Sequence, residues 1–257
     1  MLKTDSISRF YNNGGKNPEN RYTVLDNVSL EIKDGEFVSV VGPSGCGKST
    51  LINIIAGLDK PSGGKVLWNG KEITKPGHEF AMVFQESSLF PWLDVLSNMT
   101  FGLKVKGLSD KEATEKALHY LDMVNLADFR DYRIHQLSGG MRQRISIARA
   151  LALETDVLLM DEPFVAVDTQ TRSMLHDEVL KLWQMTKKTV LFITHDVEEA
   201  VLLSTRVVVL GFAPDNLKEN VEINLPYPRQ INDGLLTYVD TIKDIINRCS
   251  HAKKQNT

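Results

Sequence analysis

Short apolar runs alternate with polar segments along the chain and predict a mixture of strands and helices. Residues 28–32 alternate apolar and polar side chains, residues 37–41 are mostly apolar, and Asp34 and Gly35 stand between the two runs. This arrangement predicts a β-hairpin. Residues 157–160 and 190–193 are apolar at every position, which is typical of strands buried on both faces of a parallel sheet.

Helical patterns separate these strands. Residues 51–56 predict a helix that ends at Gly57, directly after a glycine-rich loop. Residues 90–152 have a helical texture, and residues 109–112 match a capping box that starts one of its helices. A further helix is expected over residues 169–183. We therefore expect an inserted helical lobe between the strands of an α/β protein.

The composition is that of an ordinary globular protein. Of the 257 residues, 42% are hydrophobic and 25% are charged, and this length suits one large domain, or one core with a smaller inserted subdomain. The formal net charge of −3 gives no basic field, so we expect no nucleic-acid partner. Cys46 and Cys249 lack the spacing of a metal site or a disulfide framework.

Neither a secretory signal nor a membrane span is visible in the sequence. The first residues lack the apolar stretch of a signal peptide, and no apolar run approaches the roughly 20 residues that cross a bilayer. We therefore expect the chain to stay in the cytoplasm, so any membrane role requires a partner. The polar stretch 12–21 predicts a surface loop.

The glycine-rich loop between residues 37–41 and 51–56 matches the phosphate-loop pattern Gly-x-x-x-x-Gly-Lys-Ser/Thr. In such a loop, backbone N–H groups wrap the phosphates, Lys48 reaches the β- and γ-phosphates, and the Ser49 hydroxyl holds Mg²⁺. The alternative is a chance glycine-rich turn, and the order strand, loop, helix argues against it. The predicted nucleotide-binding residues are Gly42, Pro43, Ser44, Gly45, Cys46, Gly47, Lys48, Ser49 and Thr50.

Two adjacent carboxylates, Asp161 and Glu162, follow the apolar run 157–160. Charge is costly at such a position unless it has a role. We predict that Asp161 completes the Mg²⁺ shell through water and that Glu162 accepts a proton from the attacking water. The alternative is a solvated strand end that caps the next helix.

His195 and Gln85 each follow an apolar run. Parallel strands would place His195 at the same sheet edge as Asp161, where ligands bind. We predict a γ-phosphate contact for His195, although a lone histidine is more often structural. Gln85 is predicted to contact Mg²⁺ and the attacking water.

The phosphate loop, Gln85, Asp161, Glu162 and His195 occur in the order found in the ABC transporter ATPase family, which the chain resembles over nearly its whole length. The deciding segment is Leu-Ser-Gly-Gly-Met at 137–141, which is similar to the family signature Leu-Ser-Gly-Gly-Gln. The resemblance implies ATP and Mg²⁺ as cofactors. It also implies that Ser138, Gly139 and Gly140 contact ATP held by the opposite subunit, in a homodimer of ATPase subunits. The alternative for Ser138 is a simple helix cap.

The chain departs from the family pattern at two places. Met141 replaces the usual glutamine, and residues 165–168 read Val-Ala-Val-Asp in place of Ser-Ala-Leu-Asp. Asp168 remains for the contact between subunits, while the missing serine hydroxyl leaves cooperativity between sites open. By resemblance, Tyr11 stacks on adenine, with Phe10 as the alternative.

Residues 85–93 resemble the subgroup that serves importers of nitrate, sulfonates, taurine and similar small anions. This resemblance implies that the chain binds integral-membrane permease subunits. It also implies an extracytoplasmic solute-binding protein as an indirect partner. The chain would then be a peripheral protein on the cytoplasmic face of the membrane. The apolar cluster 90–92 would meet the permease, or it is a locally buried turn. Residues 226–229 are a weaker match to the subgroup. The solute itself cannot be deduced, since the permease and the binding protein select it.

The resemblance implies a P-loop NTPase core of mainly parallel sheet, an antiparallel β subdomain and an inserted α-helical subdomain. We expect residues 1–86 to hold the antiparallel subdomain and the P-loop part of the core, and 87–155 the helical subdomain with the signature. Residues 156–248 would complete the core and the C-terminal segment, followed by a tail at 249–257.

Two other classes of protein are less consistent with the sequence. A soluble ABC ATPase that acts on ribosomes or DNA would show tandem ATPase units or a long coiled coil, and this chain has neither. A GTP-driven switch would need the guanine-reading pattern Asn-Lys-x-Asp, which is absent from the sequence. An ABC subunit for a different solute stays open.

Overall fold

The computed structural model describes residues 1–12, 21–214 and 216–255, and the chain divides into two compact units. The first unit comprises Met1–Gly77 and Lys187–Thr257, and the second comprises His78–Thr186. The strands among the described residues are β1 (Leu2–Asn12), β2 (Arg21–Ile32), β3 (Phe37–Val41), β4 (Gly63–Trp68), β5 (Lys71–Glu72), β6 (Phe80–Val83), β7 (Val157–Asp161), β8 (Thr189–Ile193), β9 (Arg206–Leu210) and β10 (Leu217–Glu222). The α-helices are α1 (Lys48–Ile55), α2 (Val95–Val105), α3 (Asp110–Met123), α4 (Gly139–Ala152), α5 (Thr169–Thr186), α6 (Val197–Leu203) and α7 (Asp233–Gln255).

The first unit contains an antiparallel sheet with the strand order β2, β1, β4, β5. At the end of β2 the buried side chains Val28, Leu30 and Ile32 alternate with exposed positions. This period of two lets one face of the sheet pack inward while the other meets solvent. Most of the stretch 12–21, predicted as a surface loop, lies outside the described residues.

The first unit also contains parallel strands. β3 lies between β8 and β9 and runs parallel to both, and β10 pairs with β9 in the antiparallel direction. The register places Val38 beside Leu191 and Val40 beside Ile193. Every residue of β3 and β8 is buried. The prediction of a strand buried on both faces at residues 190–193 is therefore confirmed.

The predicted hairpin over residues 28–41 is wrong. β2 pairs with β1 in the antiparallel sheet, whereas β3 pairs with β8 and β9 in the parallel one. Asp34 and Gly35 do form a turn, in which the Glu36 N–H donates to the Lys33 carbonyl at 3.1 Å. The burial explains the error: β2 has one solvated face, while β3 is buried at all five positions and requires cover on both sides.

Helices α6 and α7 pack with β9 around one apolar cluster of the first unit. Its members include Val201 on α6, Val209 on β9, and Val239 and Ile242 on α7. Helix α7 continues to Gln255, through most of the segment 249–257 that the sequence analysis treats as a tail. The division of the chain into its predicted subdomains stays a prediction.

The second unit combines two parallel strands with the predicted helical lobe. β6 pairs with β7, so that Ala81 lies beside Leu158, and α2, α3 and α4 pack on one another. The capping box is confirmed, since the Ser109 hydroxyl accepts from the Glu112 N–H at 3.3 Å and the Glu112 carboxylate accepts from the Ser109 N–H at 2.9 Å. Helix α5 begins at the predicted residue 169 and extends to Thr186. None of the helices in the described ranges combines the length and hydrophobicity needed to span a bilayer.

Candidate functional site

The loop at residues 42–47 joins β3 to α1 in the first unit, and its path requires glycine at two positions. Gly47 has φ 103°, a left-handed conformation that favours glycine, and a Cβ there would lie 2.8 Å from Leu25 Cδ2. A Cβ on Gly42 would lie 2.0 Å from the carbonyl oxygen of Leu210. A Cβ on Gly45, by contrast, would meet no described atom within 4 Å beyond its chain neighbours, so the loop is open on that side.

Lys48 begins α1 and is buried at the centre of this loop. Its ammonium donates to the carbonyl of Gly42 at 2.8 Å and to that of Pro43 at 3.0 Å. The helix N-cap is Gly47, which offers no side-chain acceptor, and the first turn of α1 contains no acidic residue. A lysine ammonium and a helix N-terminus without a side-chain cap favour an anion at this loop.

A side chain that the sequence analysis did not single out also contacts the loop, at Cys46. The buried Asn216 side chain donates to the carbonyls of Val24 at 2.9 Å, Gly211 at 3.1 Å and Cys46 at 3.5 Å. Burial raises the pKa of the Cys46 thiol, although Lys48 opposes this shift. The thiol therefore stays neutral near pH 7 and does not offset the positive charge of Lys48.

His195 follows β8 and is exposed. It borders a cavity of about 450 Å³ together with Gly42, the first residue of the phosphate loop. The residues that line this cavity are Gly42, His195, Asp196, Val197, Lys243, Ile246 and Asn247. The structure thus brings His195 and the first residue of the phosphate loop to one cavity of the first unit, and the γ-phosphate contact of His195 stays a prediction.

Both candidate adenine-stacking residues lie near the end of β1. The Arg9 guanidinium lies 4.6 Å from the ring centroid of Tyr11, whose hydroxyl is 3.5 Å from the Asp59 carboxylate. The Arg21 guanidinium lies 4.5 Å from the ring centroid of Phe10. Tyr11 is exposed and Phe10 only partly so. Exposure favours Tyr11, and its role stays a prediction.

Asp161 and Glu162 close β7 in the second unit. Asp161 is buried, and Glu162 has φ 46°, a left-handed conformation that is uncommon for residues other than glycine and is found at functional sites. The Gln85 amide donates to the Glu162 carboxylate at 3.4 Å. The structure therefore brings together two of the residues predicted to handle the attacking water.

The alternative role for these carboxylates, capping the next helix, is wrong. Helix α5 begins only at Thr169, and the carboxylate that accepts from its first turn is that of Asp168, 3.0 Å from the Thr171 N–H. This bond holds the pKa of Asp168 below its usual range. Asp161 and Glu162 therefore need another explanation.

Ser138 begins helix α4 as its N-cap. Its hydroxyl accepts from the Met141 N–H at 3.2 Å, so the simple cap considered above is present. Ser138 and Gly139 nevertheless stay exposed at this helix N-terminus. A Cβ on Gly140 would lie 3.3 Å from the Ala166 carbonyl, which places the 165–168 segment against the signature. An anion from outside this chain could therefore reach Ser138.

Two side chains of α4 hold the segment after β6, and the sequence analysis missed both. The buried Gln143 amide donates to the Phe84 carbonyl at 3.1 Å. The Arg149 guanidinium donates to the Ser88 carbonyl at 2.9 Å and to its hydroxyl at 3.0 Å. The helix that begins with the signature thus fixes the backbone on both sides of Gln85.

An exposed aromatic surface lies on the same unit. Trp92 is 69% exposed, and its ring centroid lies 5.5 Å from that of Phe90, which is itself 4.9 Å from the Phe101 ring. Phe101 and Val105 are also exposed. A locally buried turn is therefore wrong for Trp92. We refer to Phe90, Trp92, Phe101 and Val105 as the aromatic surface.

The predicted Mg²⁺ donors suit that ion. Ser49, Asp161 and Gln85 offer a hydroxyl, a carboxylate and an amide oxygen, which are ligands that Mg²⁺ prefers. Within the described ranges, no group of three or more His, Cys, Asp or Glu side chains could hold a metal. These three predicted oxygen donors are too few to fill the coordination shell of Mg²⁺. This suits Mg²⁺ in nucleotide sites, where the ion keeps phosphate and water ligands.

Comparison with known proteins gives a consistent result. The sequence profile described as ABC transporter matches residues 25–165. An uncharacterized ABC transporter ATP-binding protein of Methanocaldococcus jannaschii is 49% identical over 246 residues, which cover 96% of this chain and 90% of that protein. The nitrate import ATP-binding protein of Synechocystis sp. is 50% identical over 202 residues, covering 79% and 76% of the two chains. An aliphatic sulfonates import ATP-binding protein of Bacillus cereus is 42% identical over 228 residues, covering 89% and 88%.

A solved structure extends this similarity to the fold. It is the dimeric structure of a post-hydrolysis state of an ATP-binding cassette bound to ADP and Pi. It superposes with a TM-score of 0.78 and 34% identity, over 88% of this chain and all of that one. The predicted fold class is therefore confirmed.

Proposed function

The chain belongs to the ABC transporter family and is an ATPase, and we propose that it drives an importer for a small anion such as nitrate, a sulfonate or taurine. The relatives named for nitrate and sulfonate import support this solute class. In the proposal, a homodimer of this chain binds permease subunits at the cytoplasmic face of the membrane. An extracytoplasmic binding protein delivers the solute to the permease without touching this chain.

The observation that carries the ATP-binding part of the proposal is the position of the Lys48 ammonium at the glycine-rich loop. Its ammonium already bonds two loop carbonyls, and it would bond the β- and γ-phosphate oxygens of ATP in the same place. The N-terminus of α1 adds its positive end. Tyr11 would stack on adenine. Mg²⁺, held by Ser49 and Gln85 and, through water, by Asp161, would neutralise phosphate charge.

Hydrolysis requires a base for the attacking water, and Glu162 is the candidate. The water oxygen forms a bond to the γ-phosphorus while the bond to the β,γ-bridging oxygen breaks, and one water proton passes to the Glu162 carboxylate. The Gln85 amide donates to the Glu162 carboxylate, and this hydrogen bond would orient the carboxylate toward the attacking water. His195 would contact the γ-phosphate.

Ser138, Gly139 and Gly140 would serve ATP held by a second copy of the chain. Their exposure at the N-terminus of α4 supports this role, because a helix N-terminus with an accessible hydroxyl suits a phosphate. Asp168, ionised and beside the same segment, would form the contact between subunits. One chain alone would then be half of an active enzyme.

The aromatic surface would receive the permease. Exposed aromatic side chains are costly in water and are the usual anchors of protein interfaces. A cavity of about 720 Å³ includes Val105 of this surface among its lining residues, and that lining mixes apolar side chains with the charged Lys106, Lys116 and Glu154. The exposed Trp92 and Phe101 side chains fit an apolar helix of the permease.

Replacing Trp92 by Ala should weaken assembly with the permease by ~2 kcal/mol, a typical loss for an interface hot spot. Because Trp92 is 69% exposed, the isolated subunit should keep its melting temperature and its affinity for ATP. The measurement is binding of the purified subunit to permease in detergent. Met185→Ala removes another exposed apolar side chain, on α5, and serves as the control. A lowered melting temperature with unchanged permease affinity would contradict the assignment.

A further inference from the structure

The segment 226–229 hydrogen-bonds to backbone carbonyls at the C-terminus of helix α6. The proposed ATP chemistry does not use this segment. One terminal nitrogen of Arg229 donates to the carbonyls of Val201 at 2.5 Å and Ser204 at 2.6 Å. The other donors of its guanidinium bond the carbonyls of Leu225 and Ile223, both at 3.2 Å. A single side chain therefore joins the end of α6 to the segment before α7.

Tyr227 adds to this connection. Its hydroxyl donates to the Leu203 carbonyl at 2.9 Å, and the Arg229 guanidinium lies 4.1 Å from its ring centroid. Burial raises the pKa of Tyr227 to about 12, so the hydroxyl remains a donor at neutral pH. A cation at a helix C-terminus is also favourable to the helix dipole. Helix α6 has only seven residues, too few for stability alone, and so depends on such contacts.

The other end of α6 holds the residues on both sides of His195. The Asp196 carboxylate accepts from the N–H groups of Glu198 at 2.9 Å and Glu199 at 3.2 Å. The Thr194 hydroxyl accepts from the Asp196 N–H at 3.0 Å and donates to the Glu199 carboxylate at 2.7 Å. Thr194 and Glu199 are buried. The backbone of His195 must therefore move with the first turn of α6.

A short helix transmits displacement between its ends. Seven residues span about 10 Å, so a shift of the last turn of α6 reaches the first turn with little loss. Placement matters at a reacting phosphate, where an error of about 1 Å can cost up to 100-fold in rate. Contacts at the far end of α6 can therefore affect a histidine at the nucleotide.

We propose that Arg229 is a positioning residue for His195, which it controls by holding the C-terminal carbonyls of α6. This inference rests on the proposed function in one respect, the contact of His195 with the γ-phosphate. Arg229 acts only through the helix and not on the nucleotide. It gives the 226–229 segment a role in the ATPase cycle.

The test compares Arg229→Ala with Arg206→Ala in the full chain. Arg206 is the control, because its guanidinium likewise bonds a backbone carbonyl of the first unit, that of Glu31, together with the Glu36 carboxylate, but lies at the start of β9. The NMR signals of the His195 imidazole, assigned with His195→Gln, should shift in Arg229→Ala and stay in place in Arg206→Ala. ATP turnover of Arg229→Ala should fall about 10-fold while KM for ATP changes less than about twofold.

A second comparison separates positioning from general destabilisation. In a His195→Ala background, Arg229→Ala should change the remaining turnover by less than about twofold, because the two residues act in series. An equal loss in both backgrounds, or unmoved His195 signals, would overturn the proposal. If Arg229→Ala does not fold, Arg229→Lys should shift the His195 signals in the same way but less. Normal turnover of His195→Ala would instead refute the role of His195 in hydrolysis, and the NMR result would still test the positioning.

Discussion

Replacing Glu162 by Gln is expected to lower ATP turnover by about 100- to 10,000-fold, the usual range for loss of a general base. Glutamine has nearly the same shape but cannot take a proton from water. ATP binding should be retained, because the proposed contacts to the phosphates come from Lys48 and the glycine-rich loop. The variant should therefore accumulate as an ATP-bound dimer. Turnover is measured by phosphate release, and the dimer by size-exclusion chromatography with ATP.

Glu86→Gln is the matched control for this variant. Glu86 is an exposed carboxylate next to Gln85, so its neutralisation changes the local charge equally without removing the proposed base. It should keep turnover close to that of the unmodified chain. Near-normal turnover of Glu162→Gln would remove Glu162 from the role of base.

Mixing chains that carry Ser138→Arg with chains that carry Lys48→Ala should restore activity that neither variant has alone. Lys48→Ala removes the ammonium proposed to bind the β- and γ-phosphates, and Ser138→Arg places a large cation at the exposed start of α4. In a mixed dimer, one site combines an intact Lys48 with an intact Ser138. An equal mixture should contain roughly a quarter of the active sites of the unmodified protein, since half of the dimers are mixed.

Turnover as a function of mixing ratio gives the measurement. It should reach its maximum at equal amounts and fall to the level of the parents at either end. A chain that carries both substitutions, mixed with Lys48→Ala chains, provides the control, because no pairing of these two rebuilds a site. A mixture no more active than its parents would count against sites shared between subunits.

Local patterns in the sequence predicted the parts of the fold that depend on local chemistry. The phosphate loop is one case, because the steric demands at Gly42 and Gly47 restrict those positions to glycine. The capping box at Ser109 is another, since both of its bonds lie within four residues. Strand β8 was also predicted, because burial on two faces requires an unbroken apolar run.

Features that depend on distant partners were not predicted. The hairpin over 28–41 was wrong because the turn at Asp34 is compatible either with a hairpin or with a change of sheet. Asn216, Gln143 and Arg229 bond backbone carbonyls far along the chain, and no local pattern marks such bonds. The left-handed backbone of Glu162 is likewise visible only in the structure.

The central claim is that two copies of this chain form an ATPase beneath an importer permease. Native mass spectrometry tests it most directly, on the complex purified from membranes through a tag on this chain. The proposal predicts an assembly that contains two copies of the chain together with integral-membrane subunits. A parallel purification of Trp92→Ala should yield less of this assembly. The chain recovered from membranes without any integral-membrane subunit, or recovered on ribosomes, would contradict the proposal.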